Sequence, residues 1–256
     1  SGHKVALLSG GGKTADALKA LGVKVTECKS ISGLPLSLGA ARSSLLSLLR
    51  EYKPDLVHAH TRKSLFLCES VRPAIPFPLV FTAHAKFQNG GIKGLFTKPP
   101  RHTLAVSEDI KRHFAACFGA DADNITVIEN GIDTDRFSPK EKTAAHNILT
   151  VSRLDRDCSL SAELLCTLAP RLARIYPDFR LTVVGGGNDL QKIKELASRA
   201  NAAIGRKAVV CAGRLCDVLP QIRECDIFAG VSRAALEAMS CNKPVILCGN
   251  EGYFGI

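Results

Sequence analysis

Four groups of residues have types and spacings that chemistry can use. Two runs of three glycines, Gly10–Gly12 and Gly185, Gly186 and Gly187, each follow an apolar run and precede a helical pattern. Glycine lets a backbone approach a phosphate, and the helix that follows offers unpaired N–H groups and a positive dipole end. Neither run has G-x-G-x-x-G or P-loop spacing, so tight-turn geometry accounts for them as readily as ligand contact, and an NAD-linked oxidoreductase has little support. Arg153 in VSRLDRD stands just past a strand pattern, where a planar guanidinium can grip a diphosphate; Asp155 and Asp157 beside it offer a plain surface ion pair instead. Glu237 interrupts the otherwise apolar helix pattern SRAALEAMSC. A buried carboxylate needs hydrogen-bond donors, which a ribose cis-diol supplies, as do neighbouring N–H groups. His58 and His60, two apart in DLVHAH, fall on one face of a strand, and His84 sits where a strand opens into a loop. No clear carboxylate or thiolate partner completes a zinc site, so no metal is expected and lining a cleft is the better use, with His84 the strongest candidate of the three.

The elements that must position these residues alternate throughout. KVALLS, VKVTEC, DLVHAH, PLVFTAH, HTLAVS and ITVI read as strands. TADALKAL, SLGAARSSLLSLLREY and EDIKRHFAACF read as helices, the last with Ser107 as N-cap and Gly119 as its stop. A polar stretch, ENGIDTDRFSPKEKTAAH, reads as a linker. Beyond it NILTVS, RLTVVGGG, AVVCAG, IFAG and PVILCG are strands, separated by the helical patterns LSAELLCTLAPRLARIY, DLQKIKELASRA, DVLPQIREC and SRAALEAMSC. This alternation predicts an α/β protein with two tandem Rossmann-like parallel-sheet domains, 1–138 and 139–256, facing a cleft that the carboxyl ends of their strands line.

Composition narrows the function classes. The chain is 256 residues, 46% hydrophobic and 23% charged, which excludes disordered and fibrous classes. No run approaches the roughly 18 apolar residues of a membrane span. The opening apolar run is too short for a signal peptide, so a soluble, cytoplasmic protein is expected. Ten cysteines are scattered without a C-x-x-C pair and read as reduced thiols. The net charge of +10 is one-sided: residues 1–101 hold 15 Lys and Arg against 5 Asp and Glu, and the remainder holds 19 of each. Either this is a solvated face, or it draws something anionic, such as the inner membrane surface or a phosphorylated acceptor. Aromatic residues are not interleaved with the basic ones, so nucleic acid is not an expected partner.

The segments ITVIENGIDTDRFSP, ILTVSRLDRD, LTVVGGG and ALEAMSCNKPVI, with DLVHAH, VFTAH and AVSE before them, together resemble glycosyltransferase family 4. The resemblance implies a retaining enzyme of the GT-B fold that takes a nucleoside diphosphate sugar, a UDP-sugar first, and transfers the sugar to a glycan or lipid-linked acceptor in cell-surface glycan synthesis. It assigns Arg153 to the donor diphosphate, Glu237 to the ribose, and Gly185, Gly186, Gly187, Gly213, Arg214 and Leu215 to the nucleotide site. His84 would face the transferred sugar, and no metal would be required. Cys158 replaces a Lys usual in the family and Ala229 a Glu, while Arg233 stands as an extra phosphate contact. The resemblance starts at the family's second strand and stops before its end, as in a fragment or a reduced protein. A nucleotide-sugar epimerase or phosphorylase on the same fold, and a nucleotide-binding partner module without transfer, remain as alternatives.

Overall fold

The computed structural model describes residues 2–32, 38–90, 97–140 and 146–256. The chain separates into two compact units, Ser1–Asn130 and Gly131–Ile256. Residues 141–145 of the expected linker lie outside the described residues.

In the first unit β1 (Ala6–Ser9) and β2 (Lys24–Glu27) pair in parallel around helix α1 (Lys13–Ala20). They form their own two-stranded sheet, a departure from the single sheet expected of this half. After helix α2 (Leu38–Tyr52) comes a parallel sheet in chain order: β3 (Val57–Ala59), β4 (Leu79–Ala83), β5 (His102–Ala105) and β6 (Ile125–Val127). Between β3 and β4 lies helix α3 (Arg62–Val71), which the strand-by-strand reading of this region does not contain. It starts on a capping box in which Thr61 Oγ1 accepts from Ser64 N–H and Ser64 reciprocates, a Ser standing where the usual pattern has Glu or Gln. Helix α4 (Glu108–Phe118) starts and stops as read: Ser107 Oγ accepts from Ile110 N–H at 3.3 Å, and Gly119 ends it at φ 62°. The core gathers Leu45, Leu49, Leu65, Phe81 and Phe114 between sheet and helices, and each such buried side chain contributes about 1.5–3 kcal/mol.

The second unit is one six-stranded sheet in the order β12-β11-β10-β7-β8-β9. Its strands are β7 (Asn147–Val151), β8 (Arg180–Val184), β9 (Val209–Gly213), β10 (Ile227–Gly230), β11 (Val245–Gly249) and β12 (Gly252–Gly255). All pairings are parallel except that of β12, an antiparallel edge strand absent from the sequence reading. Helices α5 (Leu160–Ile175), α6 (Leu190–Ile204), α7 (Leu219–Glu224) and α8 (Ser232–Ser240) make the crossovers. Small buried residues, Ala162, Cys166 and Ala169 on α5 and Ala197 and Ala200 on α6, keep these helices close to each other and to Leu181 and Val183. None of the ten cysteines is in a disulfide; burial pushes the thiols of Cys68 and Cys166 up to about 12.

Candidate functional site

Strand order fixes where a ligand crevice can form in the second unit. The chain builds β7, β8 and β9 in one direction, then returns to the other side of β7 to lay down β10 and β11. Loops leaving β7 and β10 therefore diverge at their carboxyl ends, the switch point at which open α/β sheets bind ligands. Arg153 is the second residue beyond β7, and Arg233 is the second residue of α8, the helix that follows β10. Glu237 lies one turn along α8; Gly185, Gly186 and Gly187 follow β8, and Gly213, Arg214 and Leu215 close and follow β9. The topology thus gathers every second-unit residue singled out from the sequence at one edge of one sheet.

The glycine run owes its composition to a neighbouring loop. Gly185 has φ 152°, and a Cβ on it would fall inside the carbonyl oxygen of Ser152. A Cβ on Gly187 would lie 2.5 Å from the carbonyl carbon of Leu154, whereas one on Gly186 would meet only Arg214, its Cβ at 3.6 Å. The two loops are stitched by backbone bonds: Leu154 N–H donates to Gly186 O (3.2 Å) and Asp189 N–H to Leu154 O (2.7 Å). Asp155 Oδ1 accepts from Asn188 N–H at 3.0 Å. The glycines are what lets the loop after β8 lie on the loop that carries Arg153.

That loop is also tied from the opposite side. Asn250, beyond β11, accepts from Leu160 N–H through Oδ1 (3.0 Å) and donates from Nδ2 to Arg156 O (3.0 Å). Ser159 Oγ lies 2.7 Å from Asp189 Oδ2 and 2.9 Å from Glu163 Oε1. Asp155, read from the sequence as an ion-pair partner of Arg153, instead ties the two loops together, and Ser159 and Asn250 carry no signal in the sequence because their partners lie up to 94 residues away. Arg153 itself is two-thirds exposed, with Nη2 3.3 Å from Cys158 Sγ and 3.6 Å from Asp157. The bond to the Cys158 sulfur first, and the nearby Asp157 carboxylate after it, push the Arg153 pKa above its ordinary value. The ion pair expected of a surface arginine is therefore present, and it leaves most of the fork open to solvent.

Helix α8 begins against several local preferences. Val231 provides no side-chain cap, Ser232 sits at φ 65° without being glycine, and no acidic residue occupies the first turn. A left-handed non-glycine residue costs of order 1–3 kcal/mol, and uncapped N–H groups leave a concentrated positive end. Glu237 is 8% exposed, and its Oε1 accepts from Arg233 Nε at 2.9 Å. The two residues assigned separately to ribose and phosphate thus hold each other.

In the first unit three imidazoles cluster at the carboxyl ends of β3 and β4. His58 and His60 share a face, their ring centroids 4.0 Å apart. His58 Nε2 lies 2.7 Å from Thr82 Oγ1, and His60 Nδ1 lies 3.2 Å from His84 Nε2. Burial first, and neighbouring imidazoles second, lower the pKa of both His58 and His60 below the ordinary 6.5. These two are therefore neutral at pH 7 and hydrogen-bond without adding charge. Among the described residues no group of three His, Cys, Asp or Glu side chains converges as a metal ion requires. No described helix is long and apolar enough to cross a membrane.

Comparison with known proteins agrees across both units. Residues 1–136 match the family model described as Glycosyltransferase Family 4, and residues 145–253 match that described as Glycosyl transferases group 1. The chain is 26% identical over 252 residues to D-inositol 3-phosphate glycosyltransferase of Mycobacterium bovis, covering 86% of this chain and 52% of that one. It is 26% identical over 155 residues to glycogen synthase of Mycobacterium tuberculosis, covering 54% and 37%. The chain thus spans about half of the first relative's length and little more than a third of the second's. In structure it superposes on Anabaena HepE, solved with UDP-glucose, at a TM-score of 0.73, with 20% identity and 95% of this chain and 72% of that one covered. A glycosyltransferase from Rickettsia africae gives 0.68, with 21% identity and coverage of 96% and 71%. These likenesses show one shared fold, the α/β architecture of parallel sheets expected from the sequence.

Proposed function

Because the chain belongs to glycosyltransferase family 4, we propose that it moves a sugar from a nucleoside diphosphate sugar to an acceptor hydroxyl, with the donor seated on the carboxyl edge of the second unit. The observation that carries the reading is the switch point: the topology sets Arg153 beyond the end of β7, and the uncapped start of α8, with the Arg233–Glu237 pair, beyond the end of β10. The diphosphate lies in the field of Arg153 and the α8 N-terminus, with Arg233 as a further cation. Glu237 accepts from the ribose diol. The loops Gly185–Gly187 and Gly213–Leu215 flank the nucleotide. His84 contacts the transferred sugar.

In the transfer, the bond from the sugar's anomeric carbon to the diphosphate oxygen breaks and one to the acceptor oxygen forms. The acceptor proton passes to the departing diphosphate, whose charge Arg153 and the helix dipole stabilise. Attack on the face from which the diphosphate leaves retains the anomeric configuration. UDP is the first donor base to test, since the HepE structures hold UDP and UDP-glucose. We assign residues 1–138 to the acceptor side and 139–256 to the donor side. The positive excess of residues 1–101 suits an anionic lipid-linked acceptor at the inner membrane face.

The test is calorimetric titration of the chain with UDP, GDP and ADP, beside Arg153→Ala and Glu237→Ala. One diphosphate should bind, and both variants should weaken it at least tenfold. Silence from folded protein would overturn the donor site. The acceptor reading is checked separately by sedimentation with anionic and neutral vesicles at low salt, where equal recovery would remove it. Cys158 and Ala229, standing where the resemblance has Lys and Glu, favour one competing reading, a module that binds nucleotide without transfer. Nucleotide binding with transfer assays silent on every acceptor would support that module.

A further inference from the structure

The pair formed by Arg233 and Glu237 bears on how the donor is admitted. Glu237 is buried and Arg233 is 63% exposed at its side chain, so one partner is fixed and the other can leave. The bond engages Nε of the guanidinium and does not require its two Nη groups. On helix terms the pair is poorly placed. A cation in the first turn faces the positive helix end, and an arginine four residues before its acid is the weaker orientation. What holds the arginine is the burial of the carboxylate, which needs a counter-charge.

Resting on the donor-site reading above, we propose that Arg233 is an exchangeable counter-ion. In the free protein it neutralises Glu237; when a nucleoside diphosphate arrives it transfers to the phosphates, and the Glu237 carboxylate passes to the ribose diol. Both halves of the ligand are then required. A diol alone must displace the guanidinium without offering it a new anion. A diphosphate alone draws the guanidinium away and leaves the buried carboxylate without a donor. The site therefore selects nucleoside diphosphates over nucleosides and over free pyrophosphate by more than their separate contacts supply.

Calorimetry on the full chain tests this with UDP, uridine and pyrophosphate, the guanine and adenine series being run in parallel. Arg233→Ala should weaken UDP at least tenfold while leaving uridine within twofold or binding it more tightly, because no guanidinium need be displaced. Glu237→Gln should bind pyrophosphate at least threefold more tightly than the wild type, because Arg233 is released. Equal losses for UDP and uridine in Arg233→Ala would show that the arginine only holds Glu237 in shape, and unchanged UDP affinity would show that it never reaches the phosphates. Either result overturns the exchange while the donor site stands. A wild type silent to all three diphosphates overturns the donor site and the exchange with it. If circular dichroism shows that Arg233→Ala does not fold, the Glu237→Gln measurement decides alone, and unchanged or weaker pyrophosphate binding overturns the proposal.

Discussion

Replacing Gly185 and Gly186 in turn should give unequal results that only their neighbours explain. Gly185→Ala introduces a Cβ at φ 152°, a region that side-chain-bearing residues rarely adopt, and drives it into the Ser152 carbonyl oxygen. The backbone conformation costs about 1–3 kcal/mol. Parting two packed loops costs about 1–3 kcal/mol more. The sum, about 2–6 kcal/mol, is a large share of the roughly 5–15 kcal/mol that typically stabilises a domain. Gly186→Ala, one residue along, has an ordinary φ and nearest contacts of 3.6 and 3.7 Å to Arg214, so its change should stay within about 0.5 kcal/mol. The assay is urea denaturation followed by far-UV circular dichroism, with hydrogen exchange read on peptides from β7 and β8. Gly185→Ala should lower the midpoint and speed exchange in both strands, because the damage falls on the loops that leave them. Equal stability of the two variants would refute the packing argument, and the glycines would then be explained by ligand contact or by turn geometry alone.

Three other outcomes follow from the same geometry. Asn250→Ala removes the acceptor at Leu160 N–H and the donor to Arg156 O, so it should cost about 1 kcal/mol in denaturation and weaken UDP several-fold in calorimetry. Unaltered affinity would show that the Arg153 loop holds its shape without this tie. His58 and His60 have folded pKa values below the ordinary 6.5, so as pH falls the unfolded chain takes up protons that the folded chain refuses. Stability should be full above 6.5 and decline below it, and His60→Gln should flatten the decline in urea midpoints between about pH 7.5 and 5.5; a flat wild-type profile would contradict the burial of these rings. Cys68 and Cys166, with thiols pushed up to about 12, should resist iodoacetamide at about pH 8 while exposed Cys216 labels early, as read by peptide mass spectrometry.

The sequence made the alternation of strands and helices legible because each long element carries its own signal. Helix α6 repeats Ile193, Ala197 and Ala200 on its buried face and stops at Gly205, φ 80°. Helix α4 shows its cap and its stop in the chain itself. Helix α3 leaves little trace in the sequence because strands flank it closely and its capping box ends in Ser64, not in an acid. Strand β12 is equally faint because two of its four residues are glycine and its partner runs antiparallel to it in a sheet otherwise parallel. The site divides along the same line. Arg153, Glu237 and the glycines stand out by residue type, but their partners are set by the fold. The Gly185–Gly187 loop needs Ser152 and Leu154, and the Arg153 loop needs Asn250. Such pairings join segments that share no local pattern, so residue type nominates candidates but does not show what holds them.

Charge placement separates two tasks that composition alone would merge. The chain's whole excess of +10 belongs to residues 1–101, while the remainder holds equal numbers of basic and acidic residues. The second unit, residues 131–256, holds 17 Lys and Arg against 14 Asp and Glu, a net of only +3, so a general positive field there is a weak hold on a donor diphosphate. On the donor-site proposal it is held by local arrangement: the uncapped start of α8, the open fork of Arg153, and an arginine exchanged from Glu237. Such a site acts over a few ångströms and selects by geometry, which suits a small ligand with two phosphates at fixed separation. On the acceptor proposal, the diffuse excess in the first unit acts over roughly a Debye length, about 8 Å at physiological ionic strength, and would favour extended anionic surfaces. Salt should accordingly weaken any association of the first unit with such a surface far more steeply than it weakens nucleotide binding to the second.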